Sequence, residues 1–194
     1  MMRLLEIELL KLKKLNTLKV ILLVYAVLLP LIFYCLSLTD GYNMLFDRHI
    51  YQFPDVYHYV TYISSFFNLL IGVIIVVFTC NEIKYKTQRQ NLIDGLSKKE
   101  LILSKFYVVV VLSLVITLYA FIISLIFGFV NDSTDMFNGI RYIAYYQIST
   151  FGYFIFAFFL SNLLKNPALS IVFYLLSTFL EGMTGLFAKE YSQF

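Results

Sequence analysis

Few residues in this chain combine a type and a spacing that could do chemistry. Glu181 is the one ionisable side chain near the interior of a long apolar run. Acids held in lipid are costly and tend to be functional. However, Gly182, Thr184 and Gly185 follow it, which reads as a helix that has already ended and a carboxylate solvated near a membrane surface. His49 and His58, with Asp47 and Asp55, share one segment and are of metal-ligating types. Their spacing matches no closed zinc pattern, so no metal is expected. The sequence contains no GxxxxGK[ST] phosphate loop, so the chain is not expected to hydrolyse ATP. It also lacks HExxH, a Ser-His-Asp constellation and paired intramembrane acids, which argues against an intramembrane protease or a lipid-headgroup transferase. No catalytic residue and no cofactor is expected.

The polar residues that remain fall into stripes and one island. Ser64, Asn68 and Gly72 recur every four residues, and Ser113, Thr117, Ala120, Ser124 and Gly128 recur at spacings of three or four. Such stripes let helices approach closely and hydrogen-bond across the contact. Helix packing is the first reading of Ser64, Asn68, Ser113 and Thr117, and the lining of a translocation path is the second. Asn68 stands out because an amide near mid-membrane needs a partner. The island is NEIKYKTQRQNLIDGLSKKE, residues 81–100.

The elements that must position these residues follow from composition. The chain has 194 residues, 60% hydrophobic and 14% charged, with a mean hydropathy of +0.80. Soluble domains carry about 25% charged residues, so this is an integral membrane protein. Without Trp, an aromatic belt must be built from Tyr and Phe. Runs of about 20 apolar residues, the length a helix needs to cross about 30 Å of hydrocarbon, fall at about 20–38, 60–80, 106–130 and 143–164. A fifth, at about 167–187, is apolar only to Leu180 and is expected to break or bend near its far end. Helices are the reading because an open sheet leaves backbone groups unpaired in lipid. The expected fold is all-α, a polytopic membrane helical bundle forming a single domain over 1–194. The first span is too long for a signal core and lacks a small-x-small cleavage site. Cys35 and Cys80 lie near opposite faces of the membrane and are read as unpaired apolar fillers.

Orientation follows from Lys and Arg. Twelve of the fifteen lie in the N-terminal segment, in the 81–105 loop or at Lys165. The positive-inside rule therefore places the N-terminus and that loop in the cytoplasm. Segment 3–16 is moderately amphipathic and reads either as a membrane-surface elbow drawn to anionic lipid or as a positive flank that only sets topology.

Within the island, Thr87 with Gln90 and Ser97 with Glu100 are two capping boxes, each able to satisfy first-turn amides reciprocally. Gly95 between them is a natural helix stop. The expectation is a second span ending near 80–84, a short helix over about 88–94, and a third helix beginning at Lys98. A helix of about two turns is marginal alone. It must either lie on the membrane with Leu92 and Ile93 dipped into lipid or dock into a partner.

NEIKYKTQRQNLIDGLSKKELILSK, following FFNLLIGVIIVVFTC, resembles the second span and first cytoplasmic loop of permease subunits of type-2 ATP-binding-cassette (ABC) transporters. The matching positions are Asn81, Glu82, Thr87, Arg89, Gln90, Asn91, Asp94, Gly95, Leu96, Ser97 and Lys105, and the basic segment 3–16 is similar to that family's elbow helix. The resemblance implies a multi-pass subunit of a bacterial cytoplasmic membrane, paired with a second permease copy or paralogue and surrounded by lipid. Cytoplasmic ATPase subunits would bind the ATP and Mg and dock on the short helix. Docking would then involve Glu82, Thr87, Arg89, Gln90, Asn91, Leu92, Ile93, Asp94 and Gly95, with Glu82 and Arg89 as polar anchors. The resemblance favours export and leaves the substrate open; nucleic acid is not among the expected partners. Six spans are usual in that family, and this sequence departs from it with five, the sixth being either lost or naturally absent. The rival reading is a membrane scaffold or assembly factor that binds another cytoplasmic protein through residues 81–105.

Overall fold

The computed structural model describes residues 11, 15–38, 51–84, 97–130 and 137–191, with side chains at 36–38 and 183–191 left aside. Five helices carry the described chain: α1 Asn16–Leu38, α2 Asp55–Lys84, α3 Lys98–Val130, α4 Ile140–Leu164 and α5 Pro167–Tyr191. The first four are long and apolar enough to cross a membrane, and α5 is apolar over Pro167–Gly182. The chain is an all-helical membrane bundle. At about 1.5 Å per residue, α2 and α3 run to about 45–50 Å, beyond the roughly 30 Å of hydrocarbon. Their basic ends, at Lys84 and Lys98, therefore project from it.

The bundle is organised on α2, which packs against each of the other four helices. Its buried positions include Tyr57, Val60, Ser64, Asn68, Ile71, Gly72, Ile75, Thr79 and Glu82, a spacing of three and four that keeps one broad face inward. The small and polar stripes lie inside the bundle: Ser64, Asn68 and Gly72 on α2, and Ser113, Thr117, Ala120, Ser124 and Gly128 on α3. Gly72 is required by a close approach, because a Cβ there would overlap the ring of Tyr174 from α5.

Local chemistry sets the helix ends. Ser97 and Glu100 form the expected capping box: the Ser97 amide and hydroxyl donate to Glu100 Oε2 at 2.9 and 2.7 Å, and the Glu100 amide donates to Ser97 Oγ at 3.2 Å. This starts α3 at Lys98, where the sequence places it. Between α4 and α5, Lys165 takes a left-handed conformation (φ 52°) and its amide closes on the Ser161 carbonyl. Asn166 Oδ1 then accepts from the Ala168 amide at 3.1 Å, and Pro167 fills the first helical position, where a missing N–H costs nothing.

Pro30 lies inside α1 and cannot donate to the carbonyl of Ala26, four residues earlier. The Tyr119 hydroxyl of α3 donates to that carbonyl instead, at 2.5 Å. Lipid supplies no donor, so the tyrosine supplies what the proline removes. At the end of the bundle away from the lysines, Phe33, Tyr51 and Phe127 pack ring on ring. Phe53 closes the layer against Tyr57 and Phe129. Phe33, Tyr51, Phe53 and Tyr57 are buried, so this layer is internal packing.

One expectation is corrected. The fifth helix does not end before Glu181 but continues to Tyr191. Gly182 costs a helix about 1 kcal/mol relative to Ala. Backbone groups released into hydrocarbon would cost several kcal/mol each, so the helix continues through the glycine. Cys35 is exposed and Cys80 is buried.

Candidate functional site

Three polar constellations lie at different depths. At the basic end, the last turn of α2 points Glu82 inward, where it is 8% exposed. The Lys105 ammonium, from the second turn of α3, is ion-paired with Glu82 Oε2 and lies 4.9 Å from the centre of the Phe78 ring. Lys11 donates to Glu82 Oε1 at 3.3 Å. One carboxylate thus ties the N-terminal segment, α2 and α3 together, and the two sides of the Glu82–Lys105 bridge flank residues 85–96. A groove of about 640 Å³ opens beside it, lined by apolar residues of α1 and α2 with Lys11, Thr17, Asn81 and Glu82 at its polar end.

Asn68 lies at mid-bundle and is 1% exposed. Its Nδ2 donates to Thr150 Oγ1 at 2.8 Å, and its Oδ1 accepts from the Tyr146 hydroxyl at 3.2 Å. The amide that needed a partner has two, both on α4. The Tyr174 hydroxyl reaches the Asn68 carbonyl at 3.5 Å. Nearby, Gln147 Nε2 donates to Ser113 Oγ at 3.1 Å. Ser64 and Thr117 are buried, and their hydroxyls have no hydrogen-bond partner among the described residues. Ser64, Asn68, Ser113 and Thr117 therefore all sit within the bundle, and the first three stand among residues of neighbouring helices rather than facing lipid.

The third constellation is a groove between α2, α4 and α5. Glu181 is exposed along it, and its Oε2 accepts from the Tyr153 hydroxyl at 2.9 Å. Tyr62, Phe66, Asn68, Tyr174 and Thr178 are among the other residues lining a cavity of about 430 Å³. A second cavity of about 380 Å³ shares Tyr153, Thr178 and Glu181 and adds Ser149 and Ser177. Glu181 follows Pro167 by fourteen residues of unbroken helix, about 21 Å along the axis.

Of the residues expected to dock a partner, Glu82 is in the first constellation. Thr87, Arg89, Gln90, Asn91, Leu92, Ile93, Asp94 and Gly95 lie outside the described residues, as do the first capping box, His49 and all of segment 3–14 except Lys11. No group of three or more metal-ligating side chains occurs among the described residues. The sequence reading missed the role of Lys105 and Lys11 and the α4 and α5 partners of Asn68 and Glu181. One signal was present: Tyr146, Thr150, Tyr153, Ala157 and Ser161 on α4, and Ser170, Tyr174, Ser177 and Glu181 on α5, repeat at the same spacing of three and four as the stripes on α2 and α3.

The described helices thus form a membrane bundle with an ion-paired node at one end and buried polar contacts at its centre. The family comparison makes this specific: residues 4–181 match the model of the ABC-2 family transporter protein. The chain belongs to that family and is the membrane component of an ABC transporter, a class that lacks ATPase activity and carries no cofactor of its own. No curated protein and no solved structure matches the chain.

Proposed function

We propose that the chain is the membrane-spanning subunit of an ATP-driven exporter in a bacterial cytoplasmic membrane, with its basic end in the cytoplasm. Two copies, or a copy and a paralogue, enclose the path, and separate ATPase subunits dock on residues 88–94. The observation that carries this reading is the frame around residues 85–96. The last turn of α2 and the first turns of α3 are locked by Glu82 and Lys105, and α3 is started by the Ser97–Glu100 box. A segment of twelve residues held at both ends by such fixtures can pass a push into the bundle rather than absorb it. Glu82 acts from inside this frame, holding the docking segment in place, while Gln90, Asn91, Leu92 and Ile93 meet the ATPase.

The test is co-purification with candidate ATPase subunits. The unaltered chain is expected to retain the ATPase and stimulate it. Leu92→Asp and Ile93→Asp are expected to abolish both effects, because each places a charge in an apolar docking contact. Retention of binding and stimulation by both variants would refute docking at 88–94. Capture of a cytoplasmic protein without ATPase activity through the same residues would favour the scaffold reading.

A further inference from the structure

We propose that the bundle holds an ordered water molecule where α1, α2 and α4 meet, bound by the hydroxyls of Tyr25, Ser64 and Tyr146. The three residues are 2%, 0% and 5% exposed, and each side chain lies within interaction range of the other two. Even so, neither the Tyr25 hydroxyl nor Ser64 Oγ makes a hydrogen bond to any described residue. A buried hydroxyl left without a partner is costly. Polar groups that face one another without bonding directly are the setting in which water bridges them.

Neither hydroxyl has an easy alternative. The Tyr25 ring packs against Phe67 and Tyr119, with ring centres 5.0 and 5.2 Å away, so its hydroxyl cannot swing to a distant acceptor. Ser104, Ser113, Ser124 and Ser161 each donate to a carbonyl three or four residues earlier in their own helix, the usual outlet for a serine inside a helix. Ser64 does not, and its hydroxyl is left for the space between helices. The Tyr146 hydroxyl donates to Asn68 Oδ1 at 3.2 Å, which leaves lone pairs on its oxygen to accept. A water at this point accepts from Tyr25 and Ser64 and donates to Tyr146, matching the roughly three hydrogen bonds of a buried water. An ion would lose its hydration here to three neutral hydroxyls, which offer no opposite charge in return. The bound water ties α1 to α2 and α4 through bonds that can re-form when the helices shift, so it serves as a joint rather than a rigid clasp.

The test is X-ray radiolytic labelling of the purified full chain in a neutral detergent. Hydroxyl radicals formed from a bound water oxidise the side chains beside it, and mass spectrometry locates the oxidation. Tyr25 and Tyr146 are expected to label severalfold more than Phe33 and Phe154, aromatic rings that are wholly buried. Ser64→Val removes one partner of the water and fills the space. It is expected to bring both tyrosines down to the level of the two phenylalanines, while the exposed Tyr62 and Tyr145 label as before. Tyr25→Phe removes a different partner without adding volume and is expected to lower the labelling of Tyr146 in part; it carries the test if gel filtration shows that Ser64→Val has lost its fold. Labelling of Tyr25 and Tyr146 no greater than that of Phe33 and Phe154 overturns the site, because it is the result expected if Tyr25 and Ser64 bond each other directly with no water between them. Strong labelling that is indifferent to both Ser64→Val and Tyr25→Phe overturns it as well. The measurement needs no ATPase, so its outcome is independent of the permease reading above.

Discussion

Replacing Lys105 with Met should destabilise the bundle far more than replacing Lys11 with Ala, although both lysines contact the same carboxylate. The exposures decide the magnitudes. The Lys105 side chain is 3% exposed and Glu82 10%, so removing Lys105 leaves a carboxylate that has little access to water. Breaking a buried pair in this way costs about 3–5 kcal/mol. The Lys11 side chain is 33% exposed and its contact is longer, at 3.3 Å, so its loss should cost about 0–1 kcal/mol, as for surface pairs. Removing both members of the buried pair with Glu82→Leu and Lys105→Met should recover part of the loss, since the buried carboxylate is removed together with the buried ammonium. Denaturant or thermal unfolding in micelles measures all of these variants. At roughly 2–4 °C per kcal/mol for a chain of this size, Lys105→Met should lower the midpoint by about 10 °C and Lys11→Ala by no more than about 4 °C. Equal losses for the two lysines, or a double variant no more stable than Lys105→Met, would show that the node is not a buried pair. The recovered double variant should still stimulate a bound ATPase poorly, because the frame around residues 85–96 would hold its fold without its ionic lock.

Tyr119→Phe removes the donor to the carbonyl freed by Pro30. It should cost about 0.6–1.7 kcal/mol, the range of interhelical hydrogen bonds in membranes; in a Pro30→Ala background, where the backbone regains an amide that can bond the Ala26 carbonyl, the same change should cost near zero, and a double-mutant cycle on unfolding reads the difference. Gly72→Ala should force α5 away from α2, because its Cβ would overlap the Tyr174 ring; a loss of about 1–3 kcal/mol is expected from overpacking, Gly72→Ala with Tyr174→Leu should regain part of it, and an unchanged midpoint for Gly72→Ala would refute the close approach.

The elements readable in the sequence were those fixed by chemistry within one segment. Hydropathy over twenty residues located four helices because lipid offers the backbone no alternative partner. The Ser97–Glu100 box gave the start of α3 to the residue because both members of the cap lie within one turn. The inward stripes on α2 and α3 were legible for the same reason, since helical periodicity is local. Pairings across helices were not legible. That Asn68 needs a partner follows from its type, whereas Thr150, 82 residues away, is supplied only by the packing. Glu82 reads as a polar anchor from its type and position, whereas its pairing with Lys105, 23 residues on, is supplied only by the packing. The continuation of α5 past Glu181 was not legible because Gly182 and Gly185 are helix-stop signals in water. In hydrocarbon the backbone's need for internal hydrogen bonds outweighs those preferences.

The three constellations are joined by one helix. Glu82 and Asn68 are fourteen residues apart on α2, about 21 Å along its axis, and Tyr62 and Phe66 continue the same helix into the groove that holds Glu181. Asn68 lines that groove and also bonds Thr150 and Tyr146 of α4. A displacement delivered to residues 85–96 would therefore meet α2 at the ionic node, pass along a helix in contact with every other helix of the bundle, and arrive where α2, α4 and α5 enclose the cavity. The Gly72–Tyr174 contact lies between the two ends of that route, with too little space for α2 to slide past α5 without moving the ring. On the proposed reading, tilting α2 and shifting Tyr174 are one event. A push at the basic end would then change the shape of the groove beside Glu181 while the Asn68 hydrogen bonds keep α2 and α4 together.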